Sequence, residues 1–263
     1  QTCALPILKK KKHEQSKENH YRIYGINGCA ELLKHRKNQV QSIDVMENSP
    51  VQQMTFFKNY LNTRSIGVKI ISKQNFLNKY QGLRTQGIVV HFSDNIARYS
   101  LPDYSKQTGD IFLLFADNIE DPQNLGQIIR SAECAGVDGL VIPKHHSAGI
   151  TDTVLQVSQG AFVHLPVYIV GNIRNTLEDL KKQEFWTVAL ENSVQSKLWH
   201  EIDFKGKIAC VVGSEGKGIR QLIIKSCDFL ATIPMKGRIG SLNVTAAVSA
   251  ILFERNRQVH GNQ

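Results

Sequence analysis

Cysteine is scarce in this sequence and forms no recognisable motif. The five cysteines make no C-x-x-C pair and no cluster with histidine; they are Cys3, Cys29, Cys134, Cys210 and Cys227. A disulfide framework and a structural zinc site both need closely spaced cysteines, so we expect neither, and we expect no other metal site. Reduced thiols, as in a cytoplasmic protein, are the simpler interpretation.

Long apolar runs are also absent. No stretch approaches the roughly 18 residues that suggest a membrane span. The apolar segment 4–8 is short and precedes its positive charges, whereas a signal peptide has its charges first. The sequence begins with Gln1 instead of methionine. We therefore expect residues 1–19 to be a disordered tail or an artefact that lies outside the fold.

Positive charge is concentrated in the first part of the chain. Residues 1–108 hold 17 Lys and Arg against 7 Asp and Glu, whereas residues 109–263 hold 15 against 16. The lysine run at 9–12 has a plainer interpretation as a solvated tail, but a clear excess remains without it. A basic part attached to a nearly neutral part indicates two domains, the first of which binds a polyanion such as nucleic acid.

Strands and helices alternate in both parts of the sequence. Residues 20–92 are predicted to form a small α/β domain, the polar segment 93–108 a linker, and residues 109–263 a second α/β domain. In the second domain, apolar runs predict strands at 111–116, 139–143, 163–170, 185–191, 207–212 and 229–235. The predicted helices are 124–135, 172–183, 219–225 and 243–257. Because helices separate the strands, we expect a parallel sheet with helices on both faces.

Three segments place small and polar residues where predicted strands end. The strand at 207–212 leads into Gly-Ser-Glu-Gly-Lys-Gly at 213–218, and Gly-Ser-Leu-Asn-Val at 240–244 follows the strand at 229–235. The strand at 111–116 leads into Asp-Asn-Ile-Glu-Asp-Pro-Gln-Asn-Leu-Gly at 117–126 and then Arg130. Open parallel sheets bind ligands at these strand ends. The loop 213–218 is not a phosphate loop, because glycine instead of Ser or Thr follows Lys217.

Together these segments resemble the motifs of the SpoU class of RNA ribose 2′-O-methyltransferases, which belong to the knotted SPOUT superfamily. The motifs keep their order, and the resemblance covers residues 109–263. It implies an α/β parallel-sheet domain whose C-terminal segment forms a deep trefoil knot. Through Tyr24-Gly25-Ile26 and Gln86-Gly87-Ile88, residues 20–92 more weakly resemble the ribosomal-protein-like domain that binds RNA in many of these enzymes.

The resemblance also implies roles for individual residues. It implies that the methyl donor, S-adenosylmethionine, is bound by Gly213, Ile233 and Leu242, with Leu190 lining the adenine pocket. The implied catalytic residues are Arg130, Asn124, Glu215, Ser241 and Asn243.

Arg130 has more than one interpretation. The family proposal is a general base, although arginine stays protonated in proteins. The alternative that requires no deprotonation of arginine is a cation that binds the phosphate 3′ to the reacting ribose and favours the alkoxide. Apart from the resemblance, an arginine on an amphipathic helix commonly forms a surface salt bridge, here with Glu133 or Asp121.

The resemblance implies an enzyme that methylates a ribose 2′-hydroxyl of structured RNA and acts as a homodimer in the cytoplasm. The layout is most similar to enzymes that modify a guanosine of 23S ribosomal RNA. A tRNA methyltransferase and a catalytically silent RNA-binding protein of the same fold are the alternatives. The complete catalytic set favours an active enzyme. A Rossmann-type methyltransferase is disfavoured, because no G-x-G-x-x-G motif follows a predicted strand.

Overall fold

The computed structural model describes residues 19–63, 67–193 and 195–261 and contains two β-sheets. The predicted tail at 1–19, with its lysine run, lies outside the described residues except for Asn19, which begins the first strand. None of the helices in the described ranges combines the length and apolar character needed to cross a membrane.

The first sheet has four strands in the order β1-β4-β2-β3. Only the β2–β3 pair is parallel; β4 is antiparallel to both β1 and β2. In chain order, the elements are β1 (Asn19–Tyr24), α1 (Ile26–His35), β2 (Val40–Met46), α2 (Thr55–Thr63), β3 (Val68–Ile71), α3 (Lys73–Lys79) and β4 (Ile88–Asp94).

Alternate residues of β4 point to opposite faces of this sheet, as the strand geometry requires. Val90 and Phe92 belong to a core that also contains Leu32 of α1. Between them, Val89 packs on the other face with Phe76 of α3. The sheet is therefore covered by helices on both sides, as the alternation of predicted strands and helices indicates.

The second sheet has eight strands in the order β10-β12-β9-β11-β6-β7-β8-β5, and every pairing is parallel. Its strands are β5 (Ala97–Arg98), β6 (Ile111–Asp117), β7 (Gly139–Pro143), β8 (Val167–Val170), β9 (Trp186–Leu190), β10 (Lys197–Leu198), β11 (Lys207–Gly213) and β12 (Phe229–Thr232). The connecting helices are α4 (Pro122–Cys134), α5 (Asp152–Val157), α6 (Ile173–Lys181), α7 (Gln221–Ile224) and α8 (Val244–His260). The predicted α/β class with a parallel sheet is confirmed.

Buried side chains on β6 divide between the two faces of the large sheet. Phe112 and Leu114 lie in one core with residues of α4 and α8. Leu113 and Phe115 lie in the other with residues of α6 and α7. A strand that is apolar on both faces is typical of a parallel sheet covered by helices.

The strand predicted at 163–170 is wrong in its first half. Gly160 adopts a left-handed conformation with φ of 98°, and Ala161–Val163 form a 3₁₀ turn. Only Val167–Val170 form β8, directly after Pro166, which has no N–H to donate to a neighbouring strand. The apolar residues 161–163 are buried in a turn and not in a strand. Composition does not distinguish these two cases, so it predicted a longer strand.

Three elements of the large sheet's layers have no counterpart in the prediction. These are α5 and the two-residue strands β5 and β10. The segment 93–108, predicted as a linker, contributes β5, which pairs with β8. Elements this short carry too few residues for a periodic pattern.

Direct hydrogen bonds join the two sheets' layers. The Gln156 side chain pairs with the backbone of Tyr24: the Tyr24 N–H donates to Oε1 and Nε2 donates to the Tyr24 carbonyl, both at 2.9 Å. The Arg22 N–H donates to Asp152 Oδ1 at 2.9 Å. Helix α5 therefore holds the edge strand β1 of the small sheet.

Candidate active site

The centre of the site is the edge where β6 and β11 end side by side. Gly213 and Asp117 are register partners at the carboxyl ends of these strands. Asp117 is fully buried, and its carboxylate accepts hydrogen bonds from Arg220, with Nη2 at 2.6 Å and the backbone N–H at 3.0 Å. This pair fixes the chain just before α7. The motifs did not predict the Asp117–Arg220 pair, although a carboxylate at the end of a buried strand requires a hydrogen-bonding partner.

The loop 213–218 folds closely onto itself. The Gly218 N–H donates to the Ser214 carbonyl at 2.8 Å, and Gly218 has φ of 62°. A Cβ atom on Gly213 would lie 2.2 Å from the carbonyl carbon of Gly218. Glycine is therefore required at 213 by close backbone approach, and at 218 by a left-handed conformation.

Glu215 and Asn243 both bind the N-terminus of α8. Glu215 Oε1 accepts a hydrogen bond from the Val244 N–H at 3.1 Å. Asn243 Oδ1 accepts one from the Thr245 N–H at 2.8 Å, while Asn243 Nδ2 donates to Asn124 Oδ1 at 3.3 Å. Side-chain acceptors at this position satisfy backbone N–H groups that have no partner within the helix. The helix end thus brings three predicted catalytic residues together.

A cleft of about 200 Å³ opens beside this helix end; we call it the main cleft. All residues predicted to bind the donor line it, together with Glu215 and Ser241 of the predicted catalytic set. Its lining is Leu190, Glu191, Asn192, Val212, Gly213, Ser214, Glu215, Gly218, Thr232, Ile233, Met235, Gly240, Ser241, Leu242, Val244 and Ala247. Four separate parts of the sequence therefore meet at one cleft.

The main cleft also contains polar residues that the motifs did not indicate. Glu191 and Asn192 follow β9, and Thr232 ends β12. The Thr232 hydroxyl lies 3.3 Å from Asn192 Oδ1. Glu191 and Thr232 fall within predicted strands, and Asn192 directly follows one. Their place at the cleft depends on the strand order, which sets β9 between β11 and β12.

A second depression of about 220 Å³, the side cleft, lies between the loop 213–218 and the segment 118–124. Asn124 lines it together with Ser214 and Gly216. The exposed side chain of Lys217 binds Glu120 across its mouth at 3.0 Å and lowers the pKa of that carboxyl group. The two clefts share Ser214, so the glycine loop forms a wall between them.

Two predicted catalytic residues, Arg130 and Asn243, line neither cleft. Asn243 still contacts Asn124, so Arg130 is the member of the set that the structure leaves apart. It is exposed on α4 and lies six residues after Asn124, which corresponds to about 9 Å along the helix axis. Within the described ranges Arg130 forms no ion pair, so the surface salt bridge with Glu133 or Asp121 is absent.

Known proteins resemble this chain in both sequence and fold. The model of the SpoU rRNA Methylase family matches residues 111–253. The 23S rRNA (guanosine-2′-O-)-methyltransferase RlmB of Shewanella oneidensis is 33% identical over 238 residues, covering 90% of this chain and 96% of that protein. RlmB of Xylella fastidiosa is 35% identical over 246 residues, covering 92% and 98%.

A solved structure gives the same picture of the fold. The SpoU methyltransferase AviRb from Streptomyces viridochromogenes, in complex with the cofactor AdoMet, superposes with a TM-score of 0.73 at 20% identity. The match covers 91% of this chain and 90% of that one. The chain belongs to the SpoU rRNA methylase family.

The close backbone approach at Gly213 generates a prediction. Gly213→Ala should destabilise the protein by about 1–3 kcal/mol, because the new methyl group collides with backbone. Gly216→Ala is the matched control, since a Cβ there meets nothing within 4 Å, and its effect should stay within about 0.5 kcal/mol. Urea unfolding measures both. Equal stability of the two variants would show that the loop is not closed in this way.

Proposed function

We propose that this protein transfers a methyl group from S-adenosylmethionine to the ribose 2′-hydroxyl of a guanosine in 23S ribosomal RNA. The observation that carries this proposal is the convergence of Gly213, Ile233 and Leu242 on the main cleft, together with four of the five family catalytic residues around it. Relatives named for this activity match over nine-tenths of the chain. On the same ground we propose a cytoplasmic location.

The main cleft has the chemistry that a nucleoside-containing donor needs. Leu190, Ile233 and Ala247 offer apolar surface for an adenine ring, and Gly213 brings backbone close to the cleft. Glu191 adds an acceptor for hydroxyl or ammonium groups. Bound S-adenosylmethionine would supply an activated methyl group on its sulfonium. The remaining task of the protein is to align the nucleophile and accept one proton.

We assign the catalytic work to Arg130, Asn124, Glu215, Ser241 and Asn243. Ser241 and Asn243 lie where they can hydrogen-bond to the donor's carboxylate or the target ribose. Glu215 and Asn124 hold the wall between the clefts and orient the nucleotide. Arg130 binds the phosphate 3′ to the reacting ribose and stabilises the developing alkoxide. This role suits an exposed arginine, because it keeps its charge.

RNA binding is assigned to the N-terminal domain, residues 20–92, joined through the linker 93–108 to the methyltransferase domain at 109–263. The support is the charge asymmetry of the sequence, which persists in the described residues. Lys69, Lys73 and Arg84 are exposed on this domain. Contacts between such side chains and RNA phosphates release counterions, so RNA affinity falls as salt concentration rises.

Two further features are proposed from family membership. The first is a deep trefoil knot formed by the C-terminal segment, which is consistent with the packing of α8 against α4 and the end of β11. The second is a homodimer. Phe253 of α8, whose side chain is 54% exposed, is a candidate contact in such a dimer.

Methyl transfer to isolated RNAs tests the proposed function. The full chain with labelled S-adenosylmethionine should methylate a 23S rRNA fragment, and mapping of 2′-O-methyl groups should place the mark on a guanosine. Transfer to tRNA alone would favour the tRNA methyltransferase instead. Donor binding without transfer to either RNA would favour the catalytically silent RNA-binding protein.

The donor site is tested by filling the main cleft. Leu242→Arg should lower donor affinity at least about tenfold, because a charged side chain would replace apolar lining. Ile239→Arg is the matched control; Ile239 is 78% exposed and does not line the cleft. Calorimetry measures donor affinity, and filter binding checks that RNA affinity is unchanged. Retained donor affinity in Leu242→Arg would move the donor site elsewhere.

The role of Arg130 is tested by the single-turnover rate of methyl transfer. Arg130→Ala should lower this rate by a factor on the order of 10² to 10³, as for loss of one transition-state contact, with donor affinity unchanged. Gln127→Ala, one turn away on the exposed side of α4, is the control and should keep the wild-type rate. A normal rate for Arg130→Ala would remove this residue from the catalytic set.

Arg130→Lys separates the two catalytic roles. A phosphate-binding cation should be partly replaced by lysine, with a reduced rate and the pH dependence of the wild type. A general base should instead give a rate that rises with pH, because lysine acts only after it loses its proton. The pH profile of the variant therefore decides between them.

A further inference from the structure

A cluster of two histidines and one glutamate lies where α1 meets the 3₁₀ turn Ala161–Val163. Glu31 and His35 lie one helical turn apart on α1, and His164 follows the 3₁₀ turn. The Nε2 atoms of His164 and His35 lie 3.1 and 3.5 Å from the same oxygen, Glu31 Oε2. The cluster is remote in sequence, since Glu31 and His164 are 133 residues apart. It joins the small sheet's layer to that of the large sheet.

The three atoms have the spacing that a metal ion requires. All three lie within 4.8 Å of one another. Tetrahedral Zn²⁺ with ligands at 2.0–2.2 Å sets neighbouring ligand atoms about 3.4 Å apart. The two observed distances from Glu31 Oε2 are close to this value, and the two histidine nitrogens lie within 4.8 Å of each other.

The backbone around the cluster is held in place independently of any ion. A Cβ atom on Gly160 would lie 2.9 Å from Glu31 Cβ and 3.3 Å from Gly28 Cα, so only glycine permits this approach of α1. On the next turn, Arg36 Nη2 donates to the Val163 carbonyl at 3.0 Å. The ligands are therefore brought together by packing before an ion binds, which reduces the entropy cost of binding.

The three side chains are partly exposed, so an ion and a water ligand can reach them from solvent. Their exposures are 32% for Glu31, 51% for His35 and 39% for His164. Lys34 binds the other carboxylate oxygen, Oε1, at 3.0 Å, so Oε2 remains directed at the histidines. Two imidazoles and one carboxylate are a usual ligand set for Zn²⁺, with water in the fourth position.

We propose that Glu31, His35 and His164 form a binding site for a divalent transition metal, with Zn²⁺ as the preferred ion. The site cross-links α1 to the segment before β8 and so fixes the small sheet relative to the large one. The sequence predicted no metal site, because cysteine and histidine are not closely spaced in it. The proposal does not depend on methyl transfer.

Zn²⁺ binding to the chelator-treated full chain tests the site. Calorimetry should give one ion per chain, and Zn²⁺ should raise the melting temperature, because a ligand that binds only the folded state stabilises it. His164→Ala and Glu31→Gln should each weaken binding at least tenfold. His146→Ala is the matched control, since His146 also pairs with a glutamate, Glu120 at 3.7 Å, but belongs to no such three-residue group among the described residues.

Co²⁺ absorption identifies the ligands independently of the affinity measurements. Nitrogen and oxygen ligands should give d–d bands without the thiolate charge-transfer band that cysteine ligands produce. Circular dichroism checks that each variant is folded. Absence of Zn²⁺ binding, a thiolate band, or undiminished binding in folded His164→Ala would each overturn the proposal.

Discussion

The buried carboxylate of Asp117 is the constraint on which the site depends. It ends β6 with no exposure to solvent, and an unpaired charge there would be costly. Arg220 offsets this cost through its guanidinium and its backbone N–H. Because Arg220 directly follows the glycine loop and Ile219, the pair fixes one end of that loop, and the pairing of β11 with β6 fixes the other. The six residues between Gly213 and Arg220 must therefore close into a compact loop.

That closure positions the remaining polar groups. With Gly213 against Gly218, Glu215 accepts a hydrogen bond from the first N–H group of α8. Asn243 accepts one from the second, at Thr245, and donates to Asn124 on α4. The N-terminus of a helix favours negative charge and accepting groups, so these contacts stabilise one another. One helix end thereby connects segments that lie about 120 residues apart in the sequence.

The sequence predicted the elements whose residues form complete local patterns. The strand 139–143 matches β7. The helix predicted at 124–135 ends within one residue of α4 but begins two residues late, because Asp121 caps α4 and Pro122 is its first residue. The convergence of the glycine loop with 240–244 also followed from motif order. By contrast, Glu191 at the main cleft depends on strand order, and the partnership of Glu31 with His164 depends on how the two layers meet. No pattern within a short segment of the sequence indicates either contact.

The exposure of Arg130 helps to decide between its two roles. Use of arginine as a base requires a neutral guanidine, which burial or neighbouring positive charge would have to favour. Arg130 instead lies on the solvent-facing side of α4, and within the described residues no carboxylate holds it in an ion pair. An exposed guanidinium on α4, six residues after Asn124, is well suited to bind a phosphate that arrives with the RNA. In the proposed function, backbone contacts and helix caps hold the donor-binding residues in place, whereas Arg130 gains its partner only when RNA binds.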